Sequence, residues 1–148
     1  MSRTDARIRY TQGVLKQALL SFLQEKPINK ITVKEVCERA ELNRATFYAH
    51  YSDCFALLES IEEDLLEAFQ QSLKLVDSFD VTALIEAIYT MIEQQQEACR
   101  VLIFQNACPN VLRRMISLAR DESIAYWKQH LHRVTEAELE MLYTHLSN

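Results

Sequence analysis

Apolar side chains recur every three or four positions along most of this chain, the spacing that brings them to one face of an α-helix. The first such stretch covers about residues 7–25, and Pro27 ends it because proline disfavours helix at the residue before it. Its apolar positions are Val14, Leu15, Ala18, Leu19 and Phe22. We therefore expect a long first helix with one buried face.

Two short helices separated by a tight turn are predicted next. Thr32 and Glu35 form a Thr-x-x-Glu capping box, which satisfies free backbone N–H groups at a helix start, and the helix that follows ends near residue 40. Asn43 is a good N-cap for the second helix, which ends near Tyr51. Two short helices joined by a tight turn and braced by a longer helix form a helix-turn-helix.

The remaining apolar pattern predicts further helices up to the end of the sequence. The expected stretches are about residues 52–76, 81–96, 98–105, 109–133 and 135–148. The third stretch is almost wholly apolar and should be buried, and the capping box formed by Thr135 and Glu138 begins the last helix. Side chains placed on the buried faces include Phe55, Leu58, Leu84, Ile85, Ile88, Leu112, Met115 and Ile116.

The composition supports an all-α fold and excludes several kinds of site. The 148 residues include one glycine and two prolines, fewer than sheets with tight turns usually need. Phosphate-binding loops and dinucleotide fingerprints require glycines at fixed spacing, which this chain lacks. The four cysteines form no Cys-x-x-Cys pair, so we expect reduced thiols and neither a metal nor a cofactor. No apolar run reaches membrane-spanning length, and we expect a cytoplasmic protein.

Charge is divided unevenly along the chain, whose net charge is −5. Residues 1–52 carry nine Lys or Arg and five Asp or Glu, a balance of +4. Residues 53–148 carry seven and sixteen, a balance of −9. A basic N-terminal part and an acidic remainder are expected when one part of a protein contacts nucleic-acid phosphate and the other does not.

The helix-turn-helix carries a sequence that resembles a known family. Residues 31–40 are Ile-Thr-Val-Lys-Glu-Val-Cys-Glu-Arg-Ala, and residues 44–51 are Arg-Ala-Thr-Phe-Tyr-Ala-His-Tyr. With the neighbouring helices, residues 8–60 resemble the TetR family of bacterial transcription regulators. The resemblance implies a DNA-binding domain at 1–52 and a helical ligand-binding and dimerisation domain at 53–148. It also implies a homodimer on a pseudo-palindromic operator and a small-molecule effector that releases it.

Eight residues of the helix-turn-helix are candidates for contacts with double-stranded DNA. Side chains near the start of the second short helix face base edges in this motif, and its flanks meet phosphates. Arg44 has the planar donor fork that suits guanine or phosphate, and the small Ala45 and Thr46 let the helix lie deep in the groove. Phe47 and Tyr51 are expected in the core instead. The candidates are Thr32, Lys34, Asn43, Arg44, Ala45, Thr46, Tyr48 and His50.

Candidates for a small-molecule pocket are spread over the later helices. Aromatic and sulfur-bearing side chains there are suited to line a cavity, and a carboxylate offers a polar anchor. The same spacing is typical of an ordinary hydrophobic core, so the chemistry of the ligand is not predicted. The candidates are Glu62, Phe69, Tyr89, Phe104, Met115, Tyr126 and Trp127.

Three features depart from the family pattern. Glu41 lies in the turn where glycine is common, and Cys54 replaces a lysine that often contacts phosphate at the start of the next helix. Loss of that lysine removes one positive charge per subunit and lowers the expected DNA affinity. The last long helix of the family is missing after the one that begins near Thr135. The chain is then truncated, dimerises differently or exposes an apolar helix face.

These features favour one function over two others. The resemblance implies a DNA-binding transcription regulator, more often a repressor than an activator. The alternative is a coactivator or protein-interaction module on the same fold that no longer binds DNA, which Cys54 and the acidic charge favour. An enzyme is not expected, because there is no nucleophile elbow and because His130 and His132 point to different sides of a helix. We predict no catalytic residue.

Overall fold

The computed structural model describes residues 3–74, 81–105, 108–130 and 135–146, and most of these residues are helical. No strand occurs in these ranges, which confirms the predicted all-α fold. The helices are α1 (Arg3–Leu23), α2 (Val33–Arg39), α3 (Arg44–Tyr48), α4 (Cys54–Lys74), α5 (Val81–Gln94), α6 (Gln96–Ala98), α7 (Pro109–His130) and α8 (Glu136–Leu146). A 3-10 helix at Ile28–Lys30 precedes α2, and a π-helix at Cys99–Phe104 continues α6.

Helix starts follow the capping residues in the sequence. Thr32 precedes α2 and Asn43 precedes α3, and the side chain of each accepts a backbone hydrogen bond from the first turn. Thr135 donates to the Glu138 carboxylate from its backbone N–H (2.8 Å) and its hydroxyl (2.7 Å) at the start of α8. The connection predicted at 77–80 and the predicted helix end at 133 lie outside the described residues. None of the described helices combines the length and apolar character needed to cross a bilayer.

The chain divides into two compact units. The first unit comprises Met1–Leu65 and Gln95–Pro109, and the second comprises Leu66–Gln94 and Asn110–Asn148. The division falls inside α4.

The core of the first unit combines side chains from α1, α2, α3, α4 and the π-helix. Two polar contacts hold its elements: Lys16 of α1 forms an ion pair of 2.5 Å with Asp64 of α4, and Arg100 of the π-helix donates to the Gln24 side chain at 3.0 Å. Large side chains that are almost completely buried here are Leu15, Leu19, Val36, Phe47, Leu57, Leu65, Val101 and Leu102.

The core of the second unit joins α5, α7 and α8 to the last part of α4. The Trp127 and Tyr143 rings lie 6.4 Å apart between α7 and α8, and Gln70 of α4 donates to Glu122 of α7 at 3.2 Å. Its buried apolar side chains include Phe69, Met91, Val111, Met115, Ile124, Trp127 and Leu139.

Several apolar side chains predicted to be buried are exposed instead. On α7, Val111 and Met115 are buried, whereas Leu112 and Ile116, each one position further along, face solvent. The apolar residues of α5 and α7 occupy more than one side of each helix, so their spacing alone does not select the buried side. The corrected side chains, with their exposed fractions, are Phe55 (57%), Ile85 (62%), Phe104 (71%), Leu112 (49%) and Ile116 (56%).

Two substitutions near the start of α4 test which side of the helix is buried. Leu57→Ala should lower the free energy of unfolding by about 2–5 kcal/mol, because it leaves a cavity at a fully buried site. Phe55→Ala should lower it by less than about 1 kcal/mol, because that ring is largely in solvent. Urea denaturation measures both, and equal losses would contradict the assigned packing.

Candidate nucleic-acid interface

A capping box and an ion pair fix the N-terminus of α2. The Thr32 hydroxyl accepts from the Glu35 backbone N–H at 3.3 Å, and the Thr32 backbone N–H donates to the Glu35 carboxylate at 2.9 Å. The Lys26 ammonium donates to the same carboxylate at 2.6 Å. Hydrogen bonds from Lys26, and then from Thr32, lower the pKa of Glu35 from 4.5 to about 2. The charged form of Glu35 therefore links α2 to the segment that follows α1.

The turn between α2 and α3 is a Schellman motif with a strained residue. The Leu42 N–H donates to the Cys37 carbonyl at 2.9 Å, and the Glu41 N–H donates to the Glu38 carbonyl at 3.3 Å. Glu41 has a φ of 54°, in the left-handed region that favours glycine. The turn predicted from the sequence thus keeps the glycine geometry although the residue is glutamate.

Asn43 and Thr46 fix the start of α3. The Asn43 side-chain oxygen accepts from the Thr46 backbone N–H at 2.8 Å and from the Thr46 hydroxyl at 3.0 Å. This double contact holds the first turn of a helix of only five residues. Both side chains were predicted to contact DNA, and the structure gives each of them a capping role as well.

The inner side of α3 is aromatic. Phe47 is completely buried, and its ring lies 5.6 Å from Tyr48 in an edge-on arrangement and 6.0 Å from Tyr51. Tyr51 is also buried, so both residues lie in the core as predicted. Among the residues that the structure describes, the Tyr51 hydroxyl is a buried polar atom without a hydrogen-bond partner. No pattern in the sequence predicts that orphaned group.

The outer side of α3 presents a small set of exposed side chains. Arg44 and Ala45 face solvent in its first turn, and the Tyr48 ring is 57% exposed at its end. Thr46 and His50 are half-buried beside them. The helix therefore offers a guanidinium, a methyl group and a phenol on one short surface.

The basic residues around α3 differ in whether they are already paired. Lys34 is exposed on α2 but lies 3.7 Å from Glu38 of the same helix. Arg39 pairs with Glu25 at 3.3 Å, and its guanidinium lies over the Phe22 ring. Within the described ranges, Arg44 has no ion-pair partner. Its charge is therefore the one on α3 that is available for a phosphate or a base.

Lys30 is a further basic candidate, which the helix-turn-helix pattern alone does not indicate. It is exposed in the 3-10 helix that leads to Thr32. The backbone N–H groups at the start of a helix attract phosphate, and a lysine beside them adds to that attraction. Its position two residues before the Thr32 N-cap is the feature of the sequence that could have identified Lys30 as a candidate for phosphate contact.

Cys54, the cysteine found where the TetR resemblance leads to the expectation of a lysine, lies in the interior. Its side chain is 5% exposed, and burial raises the pKa of the thiol to about 11. The first residue of α4 therefore packs into the first unit as a neutral group. All four cysteines are free and buried.

The candidates for a ligand pocket are distributed over both units. Phe69, Met115 and Trp127 are buried in the second unit. Tyr89, in the second unit, and Phe104, in the first, are mostly exposed, which is unlike the lining of an enclosed cavity. Tyr126 is half-buried in the second unit.

Glu62 is the remaining ligand candidate and belongs to the first unit. It lines an open depression with Ser52, Asp53 and Phe55. Its carboxylate also accepts from the Cys108 thiol, whose pKa rises to about 12 through burial and this contact. The pocket as a whole stays a prediction. In the part of the chain that is described, no group of three or more His, Cys, Asp or Glu is arranged to hold a metal ion.

Comparison with known proteins gives a partial relative. No family model matches the chain. A 62-residue stretch is 37% identical to the uncharacterized HTH-type transcriptional regulator YxbF of Bacillus subtilis (strain 168). The match covers 42% of this chain and spans 16% of the length of YxbF. The chain is thus similar over part of its length to a protein named as a helix-turn-helix regulator.

Replacement of Glu41 tests the strain in the turn. Glu41→Gly should raise the free energy of unfolding by about 0.5–1 kcal/mol, because glycine adopts a positive φ without a Cβ clash and only part of this gain is offset in the unfolded chain. Glu41→Ala removes the charge but keeps the Cβ, and should give no such gain. Equal stabilisation by both variants in urea denaturation would assign the effect to charge instead.

Acid titration tests the Glu35 contacts. Because its pKa is lowered from 4.5 to about 2, Glu35 stabilises the fold above pH 4.5, and this contribution is lost as the pH falls through 2. Glu35→Gln should therefore lower the midpoint temperature of unfolding most near neutral pH and least near pH 2. Glu59→Gln, at an exposed position on α4, is the control and should show little effect. A pH-independent deficit in Glu35→Gln would overturn this explanation.

Proposed function

We propose that this chain is a DNA-binding transcription regulator of the TetR type that acts in the cytoplasm. Residues 1–52 are its DNA-binding domain, and residues 53–148 are a helical domain that binds a small molecule and dimerises. As a homodimer, it inserts α3 of each copy into the major groove of a pseudo-palindromic operator. It is a repressor, and the bound effector changes the spacing of the two α3 helices so that DNA is released.

The exposed side of α3 is the observation that carries this proposal. Arg44 stands unpaired among the described residues, with Ala45 and Tyr48 beside it, on a helix held by its cap and by buried Phe47. A guanidinium of this kind is suited to bidentate contacts with guanine or phosphate. The similarity to YxbF, which is named an HTH-type regulator, and the basic charge of residues 1–52 support the same conclusion.

A second candidate function is a coactivator or protein-interaction module on this fold. The net charge of −5 and the buried Cys54 in place of a phosphate-binding lysine favour it. The exposed Arg44 and Tyr48 favour DNA binding, because a module without a DNA partner has no physical need of them.

Selection from a random double-stranded DNA library tests the proposed function. The wild-type chain should enrich an inverted repeat, because two related α3 helices contact two half-sites. The Arg44→Ala variant should fail to enrich it. No enrichment by the wild type even at low salt, where phosphate contacts are strongest, would reject DNA binding in favour of a protein partner.

Affinity measurements on the enriched site then assign the contact. Arg44→Ala should weaken binding by about 1–3 kcal/mol per half-site. Arg44→Lys keeps the charge but not the planar donor fork, and should restore the salt dependence without the base preference. Lys74→Ala removes the same charge at the far end of α4 and should leave the affinity unchanged. Equal losses in Arg44→Ala and Lys74→Ala would indicate a general charge effect.

A further inference from the structure

A depression of about 570 Å³ lies on the surface of the first unit. Three separate parts of that unit converge on it, namely α1, the end of α2 with the turn that follows, and α6. The volume falls within the range of small-molecule sites in proteins. The lining includes Tyr10, Val14, Ala18, Arg39, Glu41 and Glu97.

Two carboxylates in this lining are unpaired. The side chains of Glu41, in the turn between α2 and α3, and Glu97, in α6, form no hydrogen bond or ion pair with any residue that the structure describes. Glycine would adopt the φ of 54° at position 41 without strain, but it would remove one of these carboxylates from the depression. Uncompensated negative charge in a concave surface attracts cations.

The guanidinium of Arg39 also reaches the depression, but its charge is already compensated. Its Nη1 donates to the Ser21 hydroxyl at 2.7 Å and to the Glu25 carboxylate at 3.3 Å. An anion would therefore compete with Glu25 for this guanidinium and would meet the negative charges of Glu41 and Glu97 as well. The depression thus favours a cation over an anion.

Apolar and aromatic surface beside the carboxylates favours an organic cation. Tyr10, Val14 and Ala18 are spaced four residues apart on one face of α1. Ala18 is buried and Val14 is half-buried, so both offer contact to a hydrocarbon chain. The Tyr10 ring is 71% exposed, and an exposed ring face attracts ammonium groups. A hydrated metal ion would leave this surface unused.

A second depression, near the start of α4, also contains carboxylates, but two of them are engaged. Asp53 accepts a backbone hydrogen bond at 2.8 Å as the cap of α4, and Glu62 accepts from the Cys108 thiol. The lining of this depression lies entirely within the range 52–62, so no separate part of the chain converges on it. Glu59 in its lining therefore provides a control position for the first depression.

We propose that the depression in the first unit binds a small aliphatic diamine. One ammonium group pairs with the Glu41 carboxylate and the other with the Glu97 carboxylate, while the carbon chain lies on Val14 and Ala18. The Tyr10 ring adds a cation–π contact. A bound diamine links α6 to the turn that leads into α3. The site uses none of the ligand-pocket candidates predicted from the sequence and does not depend on DNA binding.

Titration of the labelled full chain with diaminobutane, followed by nuclear magnetic resonance without DNA, tests this site. Saturable shifts are expected at Tyr10, Val14 and Glu41. Butylamine has one ammonium group and should bind several-fold more weakly, because it can pair with only one of the two carboxylates. Magnesium chloride at the same ionic strength should not reproduce the shifts. A titration without saturable shifts, or one in which either control matches diaminobutane, would overturn the proposal.

Substitutions then assign the contacts. Glu41→Gln and Glu97→Gln should each weaken diaminobutane binding about two- to fivefold, the range expected for the loss of one exposed ion pair. Glu59→Gln removes the same charge at the second depression and should leave the affinity unchanged. Tyr10→Phe should keep the affinity, whereas Tyr10→Ala should lower it about twofold or more.

Equal losses in the three glutamate variants would indicate general attraction to an acidic protein and would reject the site. Circular dichroism verifies that each variant keeps its helices. Because the binding is measured without DNA, a failure of the diamine site leaves the proposed function standing. A failure to select an operator likewise leaves the diamine site standing.

Discussion

Burial of Phe47 is the constraint on which the candidate interface depends. α3 has five residues, far fewer than a helix needs to be stable alone in water. Its position is set by this completely buried ring, by the Asn43 cap and by the Schellman turn that precedes it. Because the inner side is fixed by packing and the Asn43 cap holds the first turn, the outer side is held in place as well.

Ion pairs within the protein distinguish the charged side chains that stabilise the fold from those that could contact DNA. Lys16, Lys26 and Arg39 lie in the basic part of the sequence but pair with Asp64, Glu35 and Glu25, which links α1 to α4 and the segment after α1 to α2. These pairs stabilise the fold locally, and the pKa of Glu35, lowered to about 2, reflects its contacts with Lys26 and Thr32. The net charge of the region therefore overstates the charge that DNA would meet. The exposed guanidinium on α3 accounts for a larger fraction of the positive charge that is not paired.

How much the sequence predicts depends on whether a feature is local. The caps at Thr32 and Asn43 and the core position of Phe47 follow from residues a few positions apart, and the structure confirms them. The buried sides of α5 and α7 do not follow, because apolar residues occupy more than one side and only tertiary packing selects among them. The resemblance marks Glu41 as a position where glycine is common, but only the structure shows that the glutamate adopts the positive φ itself. Contacts to DNA and to an effector stay predictions.

The central claim is that the outer side of α3 is the surface that meets DNA. Nuclear magnetic resonance of the labelled chain, titrated with the selected operator, tests it most directly. The account predicts that amide and side-chain shifts change chiefly at the start of α2 and along α3, with the largest side-chain change at Arg44. Changes confined to the second unit, with α3 unaffected at saturating DNA, would contradict it.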